Sequence, residues 1–240
     1  NLYIGSRVPI DHIGDCAFYG FSNLYEVDWN EGTATNITFG DFAFAKCSSL
    51  WSLQWIPDNT ASVGIGCFLG CTNLTSMKGF SNVAATDIPY WCFAGCSQLT
   101  SIDDLNPNIT LVSANSFEGC TALTSIDGLP DTVATIGDDA FGGCTSITNL
   151  LYLPKDLKVI GARAFEECTS LVSAYIPSPV ESIGGAAFDG CDALEDILFD
   201  AGWEDGEGKH IPSMGADTFP ESATCYVPAA YLSEYETALE

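Results

Sequence analysis

The sequence predicts an α/β solenoid: a stack of similar coils sharing one parallel sheet, with short helical turns on the opposite side and a C-terminal capping helix. Three observations carry that prediction. A phenylalanine returns at Phe18, Phe44, Phe68, Phe93, Phe117, Phe141, Phe165, Phe188 and Phe219, with gaps of 26, 24, 25, 24, 24, 24, 23 and 31 residues. Other apolar residues recur in register with it. The composition, 47% apolar against 16% charged, supplies a core and excludes a disordered chain. Self-similarity at such a period marks a solenoid, whose single coil cannot bury its apolar face alone.

Each coil opens with an extended piece. Five residues before the phenylalanine stand Ile13, Phe39, Val63, Ile88, Val112, Ile136, Ile160, Ile183 and Met214. Glycine follows in seven of the nine coils, as at Gly14, Gly40, Gly161 and Gly184. It predicts a tight bend at a backbone angle costly for other residues.

The turn comes next. A small residue such as Ala17, Ala43, Ala140 or Ala164 precedes the phenylalanine, and Cys47, Cys71, Cys96, Cys120, Cys144, Cys168 and Cys191 follow it by three. That spacing puts the three side chains on one face of a short helical turn. Six and nine residues after the phenylalanine come apolar pairs, Leu24 and Val27, Leu50 and Leu53, Leu123 and Ile126 among them. This segment reads as the strand of the sheet, stopped by Pro57, Pro130, Pro154 or Pro177. After Phe219 the pattern gives way to a terminal strand and to Ala229–Leu239, where Tyr231, Tyr235 and Leu239 have the spacing of a capping helix.

The repeats Ile160–Pro177 (IGARAFEECTSLVSAYIP) and Ile136–Pro154 (IGDDAFGGCTSITNLLYLP) resemble the BspA-like class of leucine-rich repeats. The resemblance implies a leucine-rich-repeat-like curved coil stack with its parallel sheet on the concave face. It further implies a secreted or cell-surface microbial protein associated with adhesion and protein binding. On this reading residues 1–240 form a single domain of eight to nine coils, with 219–240 as the cap. Phe21 and Ser222 stand where the first and last coils should have cysteine, as expected of repeat ends.

Charge narrows the partners. Acidic residues number 32 against 7 basic ones, a formal net charge of -25. A surface so negative repels phosphate, which argues against nucleic acid and anionic membranes. No apolar run reaches the ~20 residues that cross a bilayer. Asn1–Ile10 lacks a basic region followed by an apolar one, so a targeting segment is expected outside this chain.

Nothing points to catalysis, and no cofactor is expected. Of eleven cysteines, seven recur in one packed column, which predicts free buried thiols in place of disulfides. Cys67 and Cys92 add two more beside Cys71 and Cys96, a spacing better explained by cysteine replacing alanine than by zinc. His12 precedes Cys16 by four residues, but no third group orients the pair. Adjacent acids at Asp103–Asp104, Asp138–Asp139 and Glu166–Glu167 lack the enclosed pocket that acid/base work needs. The insertion Asp200–Ile211, with His210, is acidic but has no EF-hand ligand pattern, so no metal is assigned.

Binding is expected on the concave sheet, whose outward positions change from coil to coil. Trp29, Trp55, Asp103, Asp127, Leu151, Tyr152, Tyr175 and Leu198 are the candidate contacts for a protein or carbohydrate ligand. Some of these rings could instead fill the larger coils. The turns are expected to be merely solvated. The function that fits is a monomeric, extracellular, non-catalytic adhesion module. A structural spacer or virion/appendage component, and an accessory domain of a larger enzyme, are the alternatives.

Overall fold

The computed structural model describes residues 2–4, 10–29, 34–58, 60–200, 204–205, 208–209 and 212–227. The expected capping helix at Ala229–Leu239, and His210, lie outside these residues.

The described chain winds into about eight coils joined by parallel ladders. One ladder is built from the piece before each phenylalanine. Ile10–Ile13, Ala34–Phe39 and Ser62–Val63 make its three-stranded part. Asp87–Ile88, Leu111–Val112, Thr135–Ile136, Val159–Ile160, Ser182–Ile183 and Ser213–Met214 make a six-stranded part in strict register. A lone Thr60–Val83 bridge lies at the break.

The second ladder follows the phenylalanines and is interrupted. Val27–Trp29 pairs with Leu2–Ile4, and Asn149–Leu150, Ser173–Ile176, Asp196–Phe199 and Thr224–Tyr226 form a four-stranded sheet. Between them, among the described residues, only Ser76 and Ser101 bridge. The single continuous sheet expected from the repeat is therefore not formed. In the middle coils the N–H groups of Ile56, Phe80 and Leu129 turn back onto the Leu53, Met77 and Ile126 carbonyls of their own coil. Gly79 and Asp104 adopt left-handed angles there (φ 102 and 66), where the strands carry Ile176 and Phe199.

No α-helix occurs among the described residues, so the helical-turn half of the α/β expectation is corrected. One 3₁₀ turn, Phe80–Asn82, is the only helical piece described. The reason is visible around Phe141. The N–H groups of Ala140, Gly142 and Cys144 donate to the carbonyl three residues back, at 3.1–3.3 Å. Those of Asp139, Phe141 and Gly143 donate instead to the Ala162, Ala164 and Glu166 carbonyls of the next coil, at 2.7–2.9 Å. Half the donors a helix needs are thus spent on the neighbouring coil. The alternation requires left-handed angles two residues before and two after the phenylalanine, as at Asp139 (φ 53) and Gly143 (φ 69).

The glycine column has a different cause from the one its sequence suggests. Gly161 and Gly184 have no left-handed angle. A Cβ at Gly184 would lie 2.3 Å from the Ala162 nitrogen, and one at Gly161 would lie 2.5 Å from the Asp138 nitrogen. Close approach of successive coils excludes the side chain.

The phenylalanines form the spine of one contiguous core running from Ile13 to Phe199. Their rings stack from Phe18 to Phe219 with centroids 5.2–5.9 Å apart and planes within 25°. That spacing suits offset stacking of aromatic rings. The cysteine column runs beside it. Each column thiol donates to the phenylalanine carbonyl of the preceding coil at 3.1–3.4 Å, from Cys47 on Phe18 to Cys191 on Phe165. All eleven thiols are free. Burial pushes Cys47 up to about 11 and Cys144 up to about 12, so both are neutral.

Candidate functional site

The four-stranded part of the second ladder presents a two-residue alternation to solvent. In Ser173–Ile176 and Asp196–Phe199, Ala174, Ile176, Ile197 and Phe199 enter the core while Ser173, Tyr175, Asp196 and Leu198 face outward. Parallel register then sets equivalent side chains beside one another. Tyr175 pairs with Leu198, and Leu198 with Tyr226. Leu151 follows Leu150, the partner of Ala174, and so continues the row. Leu151, Leu198 and Tyr226 are 43%, 40% and 53% exposed. Tyr152, beside them, is 72% exposed. The result is an apolar and aromatic row held on hydrogen-bonded backbone.

Tyr175 is half-buried, and its phenol is pushed up, first by burial and then by its hydrogen bond to Asp200. Asp103 and Asp127 lie exposed at the same offset in earlier coils, giving the row an acidic flank. The Asp127 N–H donates to Ser125 Oγ at 3.3 Å, which fixes the local turn. Alongside runs a threonine ladder, in which the Thr75, Thr100 and Thr124 hydroxyls donate to the Trp51, Thr75 and Thr100 carbonyls.

Five of the eight sequence candidates thus lie on this face: Asp103, Asp127, Leu151, Tyr175 and Leu198, and Tyr152 is exposed one position beyond Leu151. Trp55 does not lie on this face. It is 8% exposed, its indole N–H donates to the Ser52 carbonyl at 2.7 Å, and its ring packs on Phe39, Phe44 and Phe68. It fills a large coil. Trp29 ends the strand Val27–Trp29, and its side chain lies outside the described residues. Tyr226 was missed because it stands only seven residues after Phe219, whereas its partner Leu198 stands ten after Phe188. The alternation in Thr224–Cys225–Tyr226 is the signal that would have found it.

His12 Nδ1 lies 2.7 Å from Thr38 Oγ1 across the first ladder. Among the described residues no group of three or more His, Cys, Asp or Glu could hold a metal ion. Nor is any described helix long and apolar enough to cross a membrane. Of the acidic insertion, Glu204–Asp205 and Gly208–Lys209 pair as an antiparallel hairpin.

The repeat matches a family model described as the BspA type leucine rich repeat region, in six copies over residues 4–124 and 86–205. The chain belongs to that family. Its fold is similar to that of a leucine-rich repeat protein from Bacteroides ovatus, at 25% identity and a TM-score of 0.61, over 94% of this chain and 65% of that one. It is also similar to a leucine rich cell surface protein from Faecalibacterium prausnitzii, at 20% identity and a TM-score of 0.54, over 83% and 59% of the two chains. The pneumococcal vaccine antigen PcpA matches at 18% identity and a TM-score of 0.58, over 96% of this chain and 64% of its own. The latter two show likeness of fold alone. This chain spans less than two thirds of the length of these three structures. No curated protein matches it.

Proposed function

We propose that this chain is a non-catalytic, extracellular binding module of a microbial surface protein, acting as a monomer. It engages a partner protein or glycan through the open face of the four-stranded sheet. The observation that carries this reading is the row Leu151–Tyr175–Leu198–Tyr226, facing outward along a parallel ladder beside the acidic Asp103 and Asp127. Family membership supports a repeat module without a catalytic site. Two proteins of similar fold, a cell surface protein and a vaccine antigen, support placement outside the cell. Large apolar side chains presented on a sheet suit recognition, because they bury area at little cost in conformational freedom.

The test is a double variant, Leu198→Ala with Tyr226→Ala, against an array of extracellular-matrix proteins and glycans. Binding to the tightest partner should weaken by roughly 1–3 kcal/mol, about tenfold or more, while the melting temperature stays near that of the parent. A spacer or appendage component, or a domain that only tethers an enzyme, would leave every signal on the array unchanged by the substitutions.

A further inference from the structure

The turn side carries a second apolar patch, separate from the sheet face. The Phe42 N–H donates to the Ile65 carbonyl and the Gly66 N–H to the Tyr90 carbonyl, both at 2.8 Å, so Phe42, Ile65, Tyr90 and Trp91 stand on three successive coils. The Phe42 ring lies across Gly66, where a Cβ would come within 2.4 Å of Phe42 Cε1. Tyr90 and Trp91 have ring centroids 6.5 Å apart. Ile65, Tyr90 and Trp91 are exposed and Phe42 is half-buried.

The backbone makes these aromatics costly. Phe42 (φ 55) and Trp91 (φ 53) occupy the left-handed position two residues before the column phenylalanine. Every coil uses this position at a left-handed angle: Gly66 and Asn115 suit it best, Cys16, Asp139, Arg163, Ala186 and Asp217 also occupy it, and only Phe42 and Trp91 put an aromatic ring there. The Phe42 ring is half-buried and packs on Gly66, whereas the Trp91 ring is exposed and contributes little packing in return for its backbone angle. A site selected for contact explains it.

Charge decides what the contact is. In the turn runs of the first six coils the sequence places Asp15, Asp41, Glu118, Asp138 and Asp139, but one cation, Lys46. That ammonium lies over the Tyr19 ring at 5.4 Å, so an aromatic on this face already holds a cation. Asp41 adjoins Phe42 in the chain, and its Oδ1 is fixed by the Ile65 N–H at 2.8 Å. Asp87 precedes Tyr90 by three residues and is half-buried. Aromatic faces beside carboxylates, on a chain of net charge -25, attract cations and repel phosphates, acidic lipids and acidic glycans. We propose that the Phe42–Ile65–Tyr90–Trp91 patch is a second docking surface, for a lysine- or arginine-bearing segment of a partner protein.

The test uses the full chain and a fluorescent peptide of alternating arginine and glycine, read by anisotropy at about 0.15 M salt, where long-range attraction is screened. The variant is Phe42→Asn with Trp91→Gly, which leaves net charge unchanged and relieves both left-handed positions. It should melt at or above the parent's temperature and bind the peptide about fivefold or more weakly. A peptide with glutamine in place of arginine should not bind the parent, and the Leu198→Ala/Tyr226→Ala variant should bind the arginine peptide normally. If the double variant melts well below the parent, Tyr90→Ser decides by the same fivefold criterion. Equal arginine-peptide affinity in parent and deciding variant would overturn the proposal, leaving only diffuse charge attraction. So would loss in the sheet-face variant, or parent binding to neutral cellohexaose with no preference for arginine over glutamine.

Discussion

Replacing Phe141 by alanine tests whether the stacked rings are the main structural spine. Phe141 is fully buried and has a neighbour on each face, Phe117 at 5.2 Å and 2°, and Phe165 at 5.6 Å and 6°. Phenylalanine-to-alanine changes in packed cores cost about 3–5 kcal/mol, and a ring stacked on both sides belongs at the upper end, about 5 kcal/mol. Phe18, at the end of the stack, is half-buried and has one stacked neighbour, Phe44. Its truncation should cost about 1–2 kcal/mol, roughly half the worth of burying the ring completely. Urea unfolding followed by circular dichroism measures both, and the Phe141 variant should melt about 10–20 °C below the parent. Because each coil contacts only its neighbours, a central gap should also lower the urea m-value by uncoupling the two halves. Equal costs at Phe141 and Phe18, or a Phe141→Ala cost below about 2 kcal/mol, would refute the ring stack as the spine.

Two further outcomes follow from the core. Trp55→Ala should cost about 3–5 kcal/mol in urea unfolding, while the exposed Tyr152→Ala stays within about 0.5 kcal/mol of the parent; a silent Trp55→Ala would put the indole back on the surface. Stability should also fall in alkali. Burial raises the Cys47 and Cys144 thiols to about 11 and about 12, above the unfolded range near 8.5, so their contribution is complete below about pH 8.5. It is lost as pH rises toward 11–12, because the unfolded chain then releases protons that the folded chain keeps, at about 1.4 kcal/mol per pH unit for each thiol. Urea midpoints at pH 7, 9.5 and 10.5 check this. The slope should shrink in Cys144→Ala, and an unchanged slope would mean that the thiol is not buried in the native state.

The columns of the repeat were legible because each packs the same way in every coil. The phenylalanine, cysteine and leucine positions are buried throughout the middle of the stack. The turns were misread because the Ala140–Phe141–Cys144 spacing imitates one helical face, whereas the deciding bonds, Phe141 to Ala164 and Gly143 to Glu166, reach the next coil. Such partners are invisible within one repeat. The split of the second ladder did have a local signal, since Gly79, Asp104 and Gly128 stand where strands carry Ile176 and Phe199. On the candidate site, outward alternation located Leu151, Tyr175 and Leu198, and Trp55 turns inward at the offset that Ile176 and Phe199 share, eleven residues after the phenylalanine. Tyr226 escaped because the last coil changes the offset to its strand. Tyr90 and Trp91 lie on the turns, whose recurring residues report only packing.

Hydroxyl-radical footprinting with the tightest array partner bound tests the sheet-face assignment most directly. It reports side-chain shielding residue by residue, on the unmodified chain. With the partner saturating, oxidation of Leu151, Tyr152, Leu198 and Tyr226 should drop several-fold, while the exposed Tyr19 and Phe21 of the first coil keep their free rates. The contrary result is that those four residues oxidise as fast as in the free chain while another surface is shielded. The binding face would then lie elsewhere.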